Sequence, residues 1–436
     1  MHGSIALHIL VMFRMRALFR TVDTNLRIER FLSSAAAVCI GLAVPLSQLG
    51  KANLTGLLIA ACILVALHPK RRLWLYGAKD CLLTPVGIAV AMVFLAWIPS
   101  VLASLYPAKS TEVWLRTICY LGLGAVLWSF LRSNPQCIRI SKKALLLGSA
   151  FAVLLIFVNF FVGTEYIRLL RLKPFTEGYA PKVMKHFAPP AISLFPIVLY
   201  FGYKLRGLWR WLSCFIAVAF LYFIYLTGSG AALLGLLVGA YFAAIAWFGR
   251  KDKRIVFAGL ALIAGAVAIL FVWVGTHDVL PSGITRVYPL RYHFIDIHRH
   301  EIWQFVFTKI PSELLFGYGI DASNKIAGAN TVIPHLKAEY LPSHPHNWVL
   351  EILLDTGGFG CAALLFAMVL MLIRNGVASG EDPIGGLTSA ALFGAYFGSG
   401  LVSFSFWASW WQVVFITLWV LVSVAKSSGP PASAAV

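Results

Sequence analysis

About twelve apolar stretches, joined by short polar or cationic links, dominate this chain and leave it few ways to fold. Hydrocarbon offers no partner to a backbone N–H or C=O, so a stretch crossing a membrane must satisfy its own, as a helix does. The expected spans are Phe31–Leu49, Asn53–Leu67, Leu82–Leu105, Val113–Leu131, Ala144–Val162, Phe187–Tyr203, Leu208–Thr227, Ala231–Phe248, Ile255–Val274, His346–Ile373, Leu387–Phe404 and Phe406–Val424. Hydrophobic residues make up 60% of the 436 and charged ones 12%, which no soluble domain of this length matches. The fold class is therefore all-α, a polytopic integral membrane protein.

The net charge of +19 would suggest nucleic acid as the partner of a soluble protein. Here Lys and Arg fall in short runs between spans, where orientation and anionic membrane lipids account for them, and no nucleic acid is expected. Arg14, Arg16, Arg20, Arg27 and Arg30 precede the first span and assign the N-terminus to the cytoplasm. Lys70-Arg71-Arg72, then Arg132 with Arg139, Lys142 and Lys143, then Arg250 to Arg254, and finally Arg374 and Lys426 mark the later inward turns. The apolar run Ile5–Phe13 is followed by arginines, not by a small-residue cleavage site, so no removed signal peptide is expected. The seven cysteines show no CxxC or metal-ligand spacing and fit as small core residues. Four regions follow: spans one to nine over 1–274, an outer loop domain over 275–345, spans ten to twelve over 346–426, and a disordered cytoplasmic tail over 427–436.

Two outward segments break the charge pattern. The loop Thr164–Lys185 carries Arg168, Arg171, Lys173, Lys182 and Lys185 against Glu165 and Glu177. Cations on the outer side oppose the orientation preference; they suit either lipid headgroups or an anionic substrate group. The second segment, 275–345, is the only long polar one, and together with His346 it holds seven of the eleven histidines. A loop of that length in a compact protein usually has a function. Its middle, Phe294–Phe307, mixes apolar and charged positions as a helix on the membrane surface would. His298-Arg299-His300 and His344-Pro345-His346 invite a metal, but no HExxH or carboxylate cluster accompanies them, and no metal is expected.

The segment His344 to Gly360 joins this loop to span ten. Pro345 biases His344 away from helix and can open a new one, which would put His346 and Asn347 on its first turn. Leu350, Leu353, Gly357 and Gly360 follow at helical spacing, so the two glycines would lie below His346 and admit a second helix. The plain alternative is a histidine that caps a span above two packing glycines.

On the outer face there is no ATP, so a reaction there needs a donor that arrives activated, such as a lipid-linked diphosphate. Arg and Lys would stabilise the charge growing on that leaving group, and a neutral imidazole suits the activation of a hydroxyl acceptor. Arg299 and Lys185 are candidates for the clamp and His346 for the base; His344 and Asn347 flank the base as substrate contacts. A basic clamp can also take the place of a divalent metal.

These residues resemble a known family. His346-Asn347, nine residues, then Gly357-Gly358-Phe359-Gly360 follows the motif of the O-antigen ligases, a His with Asn, Ser or Gln, nine residues, and G-x-x-G. Arg299-His300-Glu301-Ile302-Trp303, then Pro311 and Phe316-Gly317-Tyr318-Gly319, is similar to the family's R-x-x-x-W segment and later G-x-G. The resemblance implies a C-type glycosyltransferase-like architecture, with a large periplasmic loop between spans nine and ten. It implies transfer of O-antigen glycan from undecaprenyl diphosphate to lipid A-core, without cofactor or metal and with inversion, at the periplasmic face of the bacterial inner membrane. Carried over, His346 is the essential histidine and Arg299 the essential arginine near the diphosphate. Where related sequences have Ser-Arg after span seven, this chain reads Thr227-Gly228-Ser229-Gly230. A second cation must then come from elsewhere, and Lys182, Lys185, Arg286 and Arg291 are the candidates.

Two alternatives share the donor or the need for a basic cavity. An O-antigen polymerase or a protein O-oligosaccharyltransferase would use another acceptor. A transporter or flippase of lipid-linked sugars would call for charges at mid-membrane, whereas Lys and Arg here cluster at span ends.

Overall fold

The computed structural model describes residues 26–161, 181–276, 297–377 and 382–427. Helix α1 covers 26–43, and a short 3-10 turn, Pro45–Leu49, leads to α2, Lys51–Leu67. Then follow α3 (Arg71–Leu82), α4 (Pro85–Ala96), α5 (Ile98–Leu102), α6 (Pro107–Ser133) and α7 (Pro135–Phe161). After a 3-10 turn, Pro181–Phe187, come α8 (Ala188–Leu205), α9 (Leu208–Thr227), α10 (Gly230–Gly249) and α11 (Lys253–Thr276). The segment between α11 and the next apolar helix contains α12 (Ile297–Lys309) and a two-residue hairpin, β1 (Val332–Ile333) antiparallel to β2 (Ala338–Glu339). The chain ends with α13 (Trp348–Leu372), α14 (Pro383–Gly400) and α15 (Ser409–Ser427).

Every expected apolar segment coincides with helix, so the protein is a nearly all-helical, multi-pass membrane protein. The number of spans differs from the expectation. Among the described residues eight helices are long and apolar enough to cross a membrane, or nine if the bent pair α2 and α3 counts as one. The shortfall has local causes: α1 carries Arg27, Glu29 and Arg30, α2 has only 17 residues, and α8 and α14 dilute 18 residues with Pro, Gly and Ser. Helix α3 was not expected; it turns through 117° from α2 after His68-Pro69 and buries Trp74.

Many large apolar side chains face outward, among them Leu262 at 69% exposed and Ile269 at 72% on α11, as hydrocarbon surroundings allow. Inside, small residues bring helices together. Gly235 and Gly239 of α10 both face Ala395 of α14, and the helices are so close that a Cβ on Gly394 would lie 2.6 Å from the Val238 carbonyl oxygen. Such four-residue spacing of small side chains allows backbone-to-backbone packing where helix association gains nothing from the hydrophobic effect. A separate apolar cluster lies beneath the polar segment. Ile302, Trp303 and Val306 of α12 pack there with Leu350 and Leu354 of α13, Leu341 and Val402. Helix α12 is thus bound to the protein by its apolar face rather than spread on a membrane.

Candidate active site

His346 does not lie on the first turn of α13. The helix starts at Trp348, and Asn347, with extended backbone, is its N-cap: Oδ1 accepts the amides of Val349 and Leu350 at 3.0 and 3.2 Å. Asn is a preferred cap because its side chain supplies the acceptor that the first amides lack. His346 precedes the cap with φ +56°, a left-handed conformation unusual for a side-chain-bearing residue. Both neighbours enforce it. Pro345 is fixed by the indole N–H of buried Trp303 on its carbonyl at 2.9 Å, and Asn347 by its cap and by the Glu351 amide on its carbonyl at 2.9 Å. Strained backbone held by its surroundings is a frequent property of functional residues.

The imidazole is held too. His346 Nδ1 lies 3.0 Å from the carbonyl oxygen of Ser403, in the turn between α14 and α15. A carbonyl only accepts, so Nδ1 carries hydrogen, and in the neutral ring Nε2 keeps its lone pair. His344 sits beside it, with ring centres 4.2 Å apart, and its Nε2 donates to the same carbonyl at 3.2 Å. The Ser343 hydroxyl meets His344 Nδ1 at 2.9 Å. Burial, then the neighbouring His346 and the charge of Arg299, push the His344 pKa down to about 4, against the opposing bond to Ser403. His344 is therefore neutral at pH 7, and Arg299 of α12 is among the charges that act on it.

Arg299 belongs to α12, which hangs from the site through Trp303. The two histidines flanking it diverge: His298 Nε2 meets the Glu339 carbonyl at 2.9 Å, while buried His300 faces the Val274 carbonyl at 3.4 Å. His335 reaches Glu301 instead, at 3.3 Å. Among the described residues no group of three His, Cys, Asp or Glu side chains converges as metal ligands.

Helix α13 is broken at Gly357, where φ is +65° and ψ −176°. The glycines were expected to lie below His346 on one continuous face; the break interrupts that face, and they have different neighbours. Residues 314–319 run alongside the break, where the Gly358 and Phe359 amides donate to the Leu314 and Leu315 carbonyls, and the Tyr318 and Gly319 amides donate to Leu354 and Asp355. A Cβ on Gly357 would strike the backbone of Leu315, and one on Gly317 (φ +70°) the backbone of Asp355. The G-x-G and G-x-x-G segments are thus two sides of one backbone junction. Gly360 faces Trp97 of the α4–α5 junction, whose indole N–H meets the Gly360 carbonyl at 3.3 Å.

Two buried carboxylates on α13 were overlooked in the sequence. Glu351 accepts the Ser405 hydroxyl at 2.5 Å and the Phe406 amide at 2.6 Å; Asp355 accepts the Trp407 indole N–H at 2.7 Å and the Asp321 amide at 3.1 Å. Their signal was present: an acid in an apolar helix is costly and rarely idle, and here two stand four residues apart on one face. Of the proposed anion contacts, Arg286 and Arg291 lie outside the described residues, as does most of Thr164–Lys185. Lys185 is exposed in the Pro181–Phe187 turn, and the side chain of Lys182 is outside what is described. The Thr227–Gly230 link is the tight turn expected, with Gly228 left-handed at φ 55° and Ser229 capping α10.

An apolar groove of about 410 Å³ runs between α8, α10 and α14, lined by Phe195, Leu199, Leu236, Leu387 and Ala395 among others. It follows α14 from Ile384 to Ala395, and Ser403 lies eight residues beyond that end.

Residues 215–365, from within α9 to within α13 and including Arg299, His344, His346 and the break at Gly357 but not the Ser403 turn, match the family model of the O-antigen ligases. The resemblance to the O-antigen ligase family is borne out. Three proteins described as “Putative polysaccharide ligase” are similar along most of their length. That of Rickettsia bellii (strain RML369-C) is 26% identical over 350 residues, 78% of this chain and 80% of its own. That of Rickettsia conorii is 27% identical over 338 residues (76% and 78%), and that of Rickettsia prowazekii 26% over 378 (82% and 84%). Both comparisons thus support a likeness to the O-antigen ligase and polymerase superfamily.

Proposed function

We propose that the protein is an O-antigen ligase, an inverting glycosyltransferase that moves O-antigen polysaccharide from undecaprenyl diphosphate to lipid A-core at the periplasmic face of the inner membrane. One observation carries this reading: the Ser403 carbonyl accepts from His346 Nδ1–H, which makes Nε2 the basic nitrogen of the imidazole. In the reaction the acceptor hydroxyl oxygen attacks the anomeric carbon of the donor sugar. The bond from that carbon to the diphosphate oxygen breaks, the electron pair leaves with undecaprenyl diphosphate, and the hydroxyl proton passes to His346 Nε2. Arg299, together with a second cation from Lys182, Lys185, Arg286 or Arg291, meets the negative charge growing on the diphosphate and removes the need for a divalent metal. His344 and Asn347 adjoin the acceptor. The apolar groove between α8, α10 and α14 accommodates part of the polyprenyl tail.

The test is transfer of glycan from undecaprenyl diphosphate to purified lipid A-core by the detergent-solubilised protein, with and without chelator, beside His346→Ala. The expected result is transfer that survives chelation and falls by at least ~100-fold in the variant. Consumption of donor into longer lipid-linked chains would assign a polymerase, transfer only to protein an oligosaccharyltransferase, and movement of the donor across a bilayer without consumption a flippase.

A further inference from the structure

The turn that orients His346 is itself held by groups with no part in the transfer described above. Residues 401–408 join α14 to α15 without forming regular helix, and the Ser403 carbonyl receives both histidines there. Two residues farther on, Glu351 grips the turn with both oxygens: Oε1 accepts from Ser405 at 2.5 Å and Oε2 from the Phe406 amide at 2.6 Å. The Ser405 hydroxyl also accepts the Trp407 amide at 3.0 Å, so the carboxylate, hydroxyl and turn form one closed set. Glu351 is fully buried in the first turn of α13, four residues after the cap that fixes the histidine backbone. One side chain on one rigid element therefore relates the base's backbone to its hydrogen-bond acceptor.

We propose that Glu351 is a positioning residue for glycan transfer: by fixing the Ser403 carbonyl it selects the Nδ1–H tautomer of His346 and aims Nε2 at the acceptor hydroxyl. The proposal rests on His346 being the base. The Phe406 amide can only donate, and the Ser405 hydroxyl, which already accepts the Trp407 amide, gives its proton to the other oxygen. Glutamine has the same shape, but with its oxygen on the Phe406 amide its NH2 faces the Ser405 hydroxyl, which must then turn its proton away and accept from both this group and the Trp407 amide, so the turn is reset. An aspartate would fall short by one methylene.

Glu351→Gln decides it, measured with purified wild type and with Ser405→Ala as a milder variant that leaves the carboxylate and removes one donor. Transfer is followed as kcat and KM for donor, and the 15N shifts of histidine-labelled protein report the tautomer of His346, assigned by difference from His346→Asn. In Glu351→Gln, kcat falls ~10- to 100-fold with donor KM unchanged, and His346 becomes a mixture of Nδ1–H and Nε2–H forms. Ser405→Ala moves both readouts the same way by less, and carries the test should Glu351→Gln not fold. Wild-type kcat, or a reduced kcat with the Nδ1–H tautomer intact, would overturn the proposal and leave Glu351 as a helix-packing group. The tautomer comparison needs no substrate, so absence of transfer by wild type would end the ligase reading while the positioning of His346 was still decided by its 15N shifts.

Discussion

The Ser403 carbonyl oxygen and His346 Nδ1 are 3.0 Å apart, and this contact gives the two ring nitrogens different work. Asparagine places its amide nitrogen near the position of Nδ1, and glutamine near that of Nε2. Both His346→Asn and His346→Gln are expected to lose transfer, since neither has a base. Only the glutamine variant also loses the anchor, and it should be less stable than the asparagine one by about 0.5–1.5 kcal/mol in denaturant unfolding. Equal stability would mean that the Ser403 contact contributes nothing to the fold.

Arg299 is carried by α12, which the Trp303 indole ties to Pro345, and its expected task is to meet a diphosphate with two parallel N–H groups. Arg299→Lys keeps the charge and loses the fork. Transfer should fall about 10-fold or more, with unfolding unchanged; full activity would make Arg299 a structural cation.

At Gly357 the left-handed backbone and the adjoining Leu315 backbone both forbid a Cβ. Gly357→Ala should destabilise by on the order of 3 kcal/mol or abolish folded protein altogether. At Gly358 an added Cβ would lie 3.4 Å from the Leu314 carbonyl oxygen, an ordinary contact, so Gly358→Ala should fold as wild type. Similar melting temperatures for the two alanine variants would show that the break in α13 is not required.

The indole of Trp303 ties α12 to Pro345, next to the strained histidine. Trp303→Phe keeps most of the packing and leaves the Pro345 carbonyl without its donor, at a cost of about 1–3 kcal/mol. Transfer should suffer beyond that loss of stability, because His346 is no longer held from one side. Activity that merely follows the folded fraction would refute this link.

How much of this was legible beforehand depended on the kind of signal. Hydrophobic runs located the helices because burial and backbone satisfaction act segment by segment, and the order of His346, Arg299 and the glycines was visible as a motif. The partners were not. Ser403 serves through its carbonyl, which every residue possesses, so no sequence pattern could single it out. Gly357 read as a packing residue because helical periodicity cannot show that a second strand of backbone, 314–319, enters at that point. The helix was expected to begin at His346, two residues too early, because Pro345 can start a helix, but the Asn347 side chain wins as the cap. Glu351 and Asp355 stand out in the sequence as acids inside an apolar helix, but that pattern does not say what they hold.

His344 ties the site to pH. Its ordinary pKa of 6.5 drops to about 4 in the folded protein, chiefly through burial and then through His346 and Arg299. An unfolded chain therefore binds this proton more readily than the native one, and the group's contribution to stability is complete above pH 6.5 and lost as pH falls towards 4. Allowing for its partial exposure, the loss is on the order of 2 kcal/mol. His344→Gln keeps an amide N–H for Ser403 and has nothing to titrate. Between pH 7.5 and 4.5 the wild-type unfolding midpoint should fall more steeply than that of the variant, so that two curves alike near neutral pH separate towards the acid end. Parallel curves would show that His344 titrates alike in both states, and the acid sensitivity of the site would then have to arise from other groups.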